Sequence, residues 1–283
     1  MPRRSPYVTR PGWGRSAASV RKRERDRKRR WLAEQGITPT DPLRALIASL
    51  YGEGQQGAMF IPQPQVLGEQ VLFQDAGGTT PVTADGDPVG LMLDISDRGN
   101  HATQEVSGAR PIYRTDGTLH WLQFDGASAW MYVDYALNDA APFQVHCALD
   151  MLLTGASAFR RVMTFGNGAN ASQITSQTSD GDVAYIRRAD ASSGKKVNLG
   201  QEVGFYKFIS SCIFDDFYIN QNLATQSNDS IASRASGKVT IGASAGGSGF
   251  AEADYYGIVM REGEAARKND IENYLASLSG VHL

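Results

Sequence analysis

Acids and aromatic rings are the side chains of this sequence whose placement could do chemistry. Glu252-Ala253-Asp254 sets two carboxylates on one face of a strand, because alternate strand residues point the same way. Hydrolysis of a glycosidic bond uses two carboxyl groups about 5 to 10 Å apart. The arrangement that supplies them along one strand, E-x-D-x-x-E, needs a third acid where this chain has Gly257. With the motif incomplete, the sequence predicts a binding protein and not an enzyme. His101, His120, His146 and His282 show no zinc spacing. Asp94, Asp97 and Asn100 in DISDRGN are candidate oxygen ligands for Ca2+. The competing reading is that they form Asx turns at a strand end, and Asp125 in FDG is open to the same pair of readings. No other cofactor is expected. Sugar binding would use exposed aromatic planes beside polar groups, for which Trp121, Trp130 and Tyr132 are candidates. Alternation puts Trp130 and Tyr132 on one face of their strand and Met131 and Val133 on the other.

These residues lie in a region written as strands. From about residue 57 onward, apolar runs such as AMFI, GLMLDI, TLHWLQF, WMYVDY, FQVHCALDMLL, EVGFYKFI and DYYGIVMRE alternate with turn signals such as Asp116-Gly117 and Gly166-Asn167-Gly168. Eleven strand candidates predict two packed sheets rather than one open sheet. A helix is expected from Glu264 to about Ser279, closed by Gly280. Before the strands, TPTDPLRALIASLYG predicts a short helix with Asp41 as cap and Pro42 in its first turn. Cys147 and Cys212 both sit in apolar strand stretches and are expected as buried free thiols.

The N-terminus differs in kind. Residues 1–31 carry a net charge of +10 and the rest of the chain −12. Residues 1–15 are too rich in Pro, Gly and Arg to bury a core and are expected to order on a partner. SAASVRKRERDRKRRWLAEQG, from Ser16 to Gly36, predicts a basic helix. Tyr7, Arg10, Trp13, Arg15, Arg21, Arg25, Arg29 and Trp31 are the candidate partner-binding residues of this arm. Acids interspersed among the bases, with aromatic residues upstream, favour a protein socket over nucleic acid. The N-terminus lacks the apolar core of a secretory signal, and no run approaches the ~18 apolar residues of a membrane span. A protein made in the cytoplasm, without a membrane partner, is expected.

The stretch LFQDAGGTTPVTADGDPVGLMLDISDRGNHATQ, followed by ARPIYRTDGTLHWLQFDGASAWM, resembles the opening of the concanavalin A-like (laminin G-like) domain found in many phage and prophage virion proteins. The shared block occupies Leu72 to Gly126, and YYGIVMREGEAARKNDIENYLASLSGV is similar to that domain's last strand and closing helix. After FDG, relatives often continue with two acids where this chain has Ala127-Ser128-Ala129. The resemblance implies an all-β, two-sheet jelly-roll sandwich over residues 52–283 with a C-terminal helix, behind a basic helical arm at residues 1–51. It also implies a structural protein of a bacteriophage particle, assembled in the host cytoplasm in symmetric copies. The arm would dock on a portal, adaptor, capsid or tail ring, and the sandwich would project toward a host surface glycan. The alternative is a carbohydrate-active enzyme acting on host polysaccharide.

Overall fold

A computed structural model of the protein describes residues 41–133, 135, 142–153, 160–166, 172–177, 182–186, 195–198, 204–213, 216–223, 238–244, 247–263 and 267–283. The arm residues Tyr7 to Trp31 and the helix expected over 16–36 lie outside the described residues. The chain divides into two compact units, Met1–Ala45 and Leu46–Leu283. In the first, Asp41 caps helix α1 (Pro42–Tyr51) as expected: its carboxylate accepts the Leu43 N–H at 2.8 Å.

In the second unit the end of α1 is fixed by backbone acceptors. The buried Tyr51 hydroxyl donates to the carbonyls of Ala58 and Met260, and Arg261 Nε donates to the Leu50 carbonyl at 2.7 Å. Strands then follow in chain order as β1 (Gly57–Phe60), β2 (Gln65–Val66), β3 (Glu69–Gln70), β4 (Leu72–Phe73), β5 (Leu91–Met92), β6 (Ala102–Thr103), β7 (Ile112–Thr115), β8 (His120–Asp125), β9 (Met131–Val133) and β10 (Phe143–Leu153). They continue as β11 (Arg160–Phe165), β12 (Ser172–Gln177), β13 (Asp182–Ile186), β14 (Lys195–Asn198), β15 (Gly204–Ile213), β16 (Asp216–Ile219), β17 (Asn222–Leu223), β18 (Val239–Ile241) and β19 (Glu252–Glu262), before helix α2 (Lys268–Ser279).

The fold is an antiparallel two-sheet β-sandwich. The front sheet runs β17-β16-β15-β10-β19-β8-β7, with β1 also paired to β19, and the back sheet runs β14-β13-β12-β11-β18-β9-β6-β5-β4. Alternation selects the inward rows. On β10, Phe143, Val145, Cys147, Leu149 and Met151 are buried, and Phe143 meets Phe165 of the back sheet with ring centroids 5.7 Å apart. Tyr255 spans the same interface, its hydroxyl donating to the Val162 carbonyl at 2.6 Å. Gly242, at φ +83°, leaves the room that Phe124 fills: a Cβ there would come within 2.3 Å of the Phe124 ring. Cys147 and Cys212 are free and buried, and burial pushes the Cys147 thiol up to about 12.

Helix α2 covers part of the outer face of the front sheet. Gly257 permits the approach, since a Cβ would lie 2.8 Å from Leu275 Cδ2. The described helix begins at Lys268 rather than Glu264 and stops at Gly280, whose N–H bonds the Ala276 carbonyl at 2.8 Å. A second difference from the expected elements is GLMLDI, of which only Leu91–Met92 is strand. The Asp94 carboxylate takes the N–H groups of Ser96 and Asn100, which turns the chain out of the sheet.

Candidate functional site

The half of the front sheet's outer face not covered by α2 carries a row of polar side chains contributed by four adjacent strands. β10 points Asp150 outward between the inward Leu149 and Met151. The register pairs Asp150 with Lys207 of β15 on one side and with Asp254 of β19 on the other, and Asp254 in turn pairs with Gln123 of β8. Directly opposite residues on neighbouring strands have Cβ atoms about 4.5–5.5 Å apart, so the two aspartates are nearest neighbours. Burial, and after it the negative charge of Asp150, raises the Asp254 carboxyl to about 7. Burial also raises Asp150, against the pull of Lys207. Asp150 Oδ1 is buried and has no hydrogen-bond partner among the described residues. The result is a half-buried acid pair that holds a proton near neutral pH, with one oxygen awaiting a donor.

Aromatic side chains stand beside this pair. A register shift between Ala148 and Leu149 places Tyr256 as an extra residue on β19. Its ring meets Trp121 at 5.7 Å between centroids, and Lys207 Nζ lies 4.3 Å above it. Trp121, on the outward row of β8 with Gln123, is half-buried, and its Nε1 lacks a partner among the described residues. Arg114, opposite Trp121 on β7, and Glu252, two residues before Asp254, complete the charges around the row.

The structure separates the three aromatic residues singled out from sequence. Trp121 joins the acid pair, whereas Trp130 and Tyr132 lie half-exposed on the back sheet, edge to face at 4.3 Å. Met131 and Val133 face the core, which answers which side of that strand is wet. Asp94, Asp97 and Asn100 fall in one turn. The buried Asp94 carboxylate accepts the N–H groups of Met59, Ser96 and Asn100, and Asn100 Nδ2 donates to the Gly57 carbonyl at 2.7 Å. The Asp94 oxygens are engaged by these backbone N–H groups, two of them in the manner of an Asx turn, and among the described residues no group of three His, Cys, Asp or Glu is placed to hold a metal ion. Asp125 likewise caps its own turn. Although burial opposes it, the N–H groups of Ser128, Ala129 and Ala127 bring its carboxyl down to about 2. His101 accepts the Asp94 N–H.

No protein-family model matches the sequence, and no curated protein matches it. Solved structures match in fold. An arabinofuranosidase complexed with arabinofuranosyl-alpha-1,2-xylobiose is 14% identical with a TM-score of 0.53, over 82% of this chain and 65% of that one. The Trypanosoma rangeli sialidase in complex with 2,3-difluorosialic acid is 8% identical with a TM-score of 0.50, over 79% of this chain. The chain spans about a third of that sialidase's length. Both neighbours are glycosidases by name, and this overturns the expectation that the chain is not an enzyme. The physical reason lies in the sheet. The sequence reading sought a third acid along the strand at Gly257, where α2 packs, while the partner of Asp254 comes from the adjacent strand as Asp150.

Proposed function

We propose that the protein is a carbohydrate-active enzyme of glycoside hydrolase type, which cleaves a bacterial surface polysaccharide and is carried on a bacteriophage particle by its basic N-terminal arm. The observation that carries the hydrolase reading is the register pairing of Asp150 with Asp254 on an open sheet face beside Trp121 and Tyr256.

Asp254, holding its proton near neutral pH, donates it to the glycosidic oxygen as the bond to the anomeric carbon breaks. The Asp150 carboxylate attacks that carbon and forms a glycosyl ester. A water molecule then cleaves the ester, giving one proton to Asp254, so both acids return to their starting states and one water is consumed. Cross-strand neighbours at about 5 Å fit this retaining course better than the wider spacing, roughly 6.5–9.5 Å, that leaves room for a water between acid and base. Trp121 supplies a ring face for the sugar's C–H surface, and the buried Tyr256 ring supports it from beneath.

The test is product analysis by proton NMR after incubation with purified bacterial capsular and O-antigen polysaccharides. Retained anomeric configuration is expected from the wild type, and Asp150→Asn should reduce cleavage by roughly 10³-fold or more. Undiminished cleavage by Asp150→Asn would remove the pair from the mechanism. The particle assignment is supported by the resemblance of Leu72–Gly126 to phage virion domains and by the charge of the arm. The chain is expected in purified particles and should be lost from them when residues 1–36 are deleted; particles that incorporate the truncated chain undiminished would overturn it.

A further inference from the structure

Phe205 is among the most exposed large apolar side chains of the described residues, with 52% of its surface open. A single exposed ring on a protein surface needs no explanation, but the position of this one is not arbitrary. Phe205 lies two residues from Lys207 on β15, so it stands on the outer face that bears the acid pair, and its register partner Leu152 is two residues from Asp150 on β10. Trp121 lies two residues from Gln123 on β8, on the other side of the acid row.

The register fixes where these two rings sit relative to the acids. From β15 to β8 there are three strand spacings, about 14 Å, and from the Phe205 level to the Trp121 level there are four residues of rise, about 13 Å. The diagonal joining them is therefore about 20 Å long. Its midpoint falls between β10 and β19 at the level of the row, which is where Asp150 and Asp254 face one another. Two aromatic platforms thus flank the acid pair at about 10 Å on either side, farther than a single sugar ring reaches.

We propose that the site binds a polysaccharide by its interior, with the chain lying diagonally from Trp121 to a second sugar-stacking platform formed by Phe205 and Leu152, so that an internal glycosidic bond meets the acids. This inference rests on the hydrolase reading above and adds the mode of attack and the far-side subsite. Both ends of this diagonal carry an apolar surface suited to further rings, as binding by a chain's interior requires.

The test uses wild type and Phe205→Ala on the same capsular and O-antigen polysaccharides, following reducing ends and chain length by size-exclusion chromatography. An early collapse of chain length is expected in the wild type. Phe205→Ala should raise KM for the polymer roughly ten-fold, and more than it raises KM for the shortest accepted fragment. Release of single sugars with chain length preserved would overturn the interior-binding inference while sparing the hydrolase reading. So would polymer kinetics in Phe205→Ala that match the wild type. Absence of both cleavage and binding with every polysaccharide would overturn the two together.

Discussion

Replacing Asp254 by Asn is expected to lower polysaccharide cleavage about 10³-fold while making the protein harder to unfold at pH 8. General acid catalysis contributes about 10²–10⁴-fold, and an amide cannot deliver the proton. Wild-type kcat/KM should fall as pH rises through about 7, where Asp254 loses that proton. The stability gain follows from the same shift. The folded state raises this carboxyl above its unfolded value of about 3.8. Between about pH 4 and 7 the folded chain therefore binds more protons than the unfolded one, and wild-type stability declines as pH climbs through that window. Asn carries no charge at any pH, so the variant escapes the decline. Its advantage in denaturant titrations should be present at pH 8 and absent at pH 4. A variant both inactive and less stable at pH 8 would mark Asp254 as a structural residue. The trade of stability for a strained pair of like charges is what a functional site exhibits.

Glu272→Ala is expected to destabilise the protein by about 3 kcal/mol, the low end of the range for breaking a buried ion pair. Glu272 is buried on α2; its Oε1 accepts the Ser211 hydroxyl at 2.5 Å, and its Oε2 pairs with Lys268 Nζ at 2.9 Å. The Ser211 hydroxyl also meets His146 Nδ1 at 2.8 Å, and His146 Nε2 meets Gln144 Oε1 at 3.2 Å. Removing the carboxylate leaves the Ser211 hydroxyl and Lys268 without their charged partner against the sheet. The low end applies because Lys268 keeps some access to water and remains over the Tyr218 ring. Glu272→Gln retains an acceptor for Ser211 and should cost less. Hydrogen exchange in α2 should accelerate in the Ala variant more than exchange in β10. Equal stability of the Ala variant and the wild type would mean that apolar packing of Ile271 and Leu275 alone holds the helix. Burial, and behind it the charge of Lys268, pushes His146 down to about 3, so this imidazole is neutral in the fold. Between its unfolded value near 6.5 and about 3, the unfolded chain binds the extra proton, and stability contributed here is lost as pH falls.

Much of the fold is legible in the sequence because burial alternates along strands. The inward rows of β10 and β8, the Asp41 cap and the Gly280 stop all follow from local pattern, whereas which face of Trp130 and Tyr132 is wet is settled only by the packed sheets. Of the two readings open at Asp94 and Asp125, the structure displays the Asx turns, each carboxylate accepting backbone N–H groups of its own loop. The acid pair was only half legible. Asp254 stands in a recognisable string, and Asp150 had a signal of its own, as the one acid of its strand, on the row that alternates with Phe143, Val145, Cys147, Leu149 and Met151. What brings them together is the register of β10 with β19, a long-range pairing that no local spacing encodes. The same holds for Lys207, Tyr256 and Phe205. The bulge that turns Tyr256 outward and the crossing of β15 onto β10 are properties of the assembled sheet.

The most direct measurement is a carbon-13 NMR titration of the aspartate carboxyls in the wild type and in Asp150→Asn, with no substrate present. The account predicts that Asp254 titrates near 7 in the wild type and lower once Asp150 is neutral, because the two carboxylates hold one proton between them. Both aspartates titrating near the ordinary value of about 4, unaffected by the substitution, would contradict it.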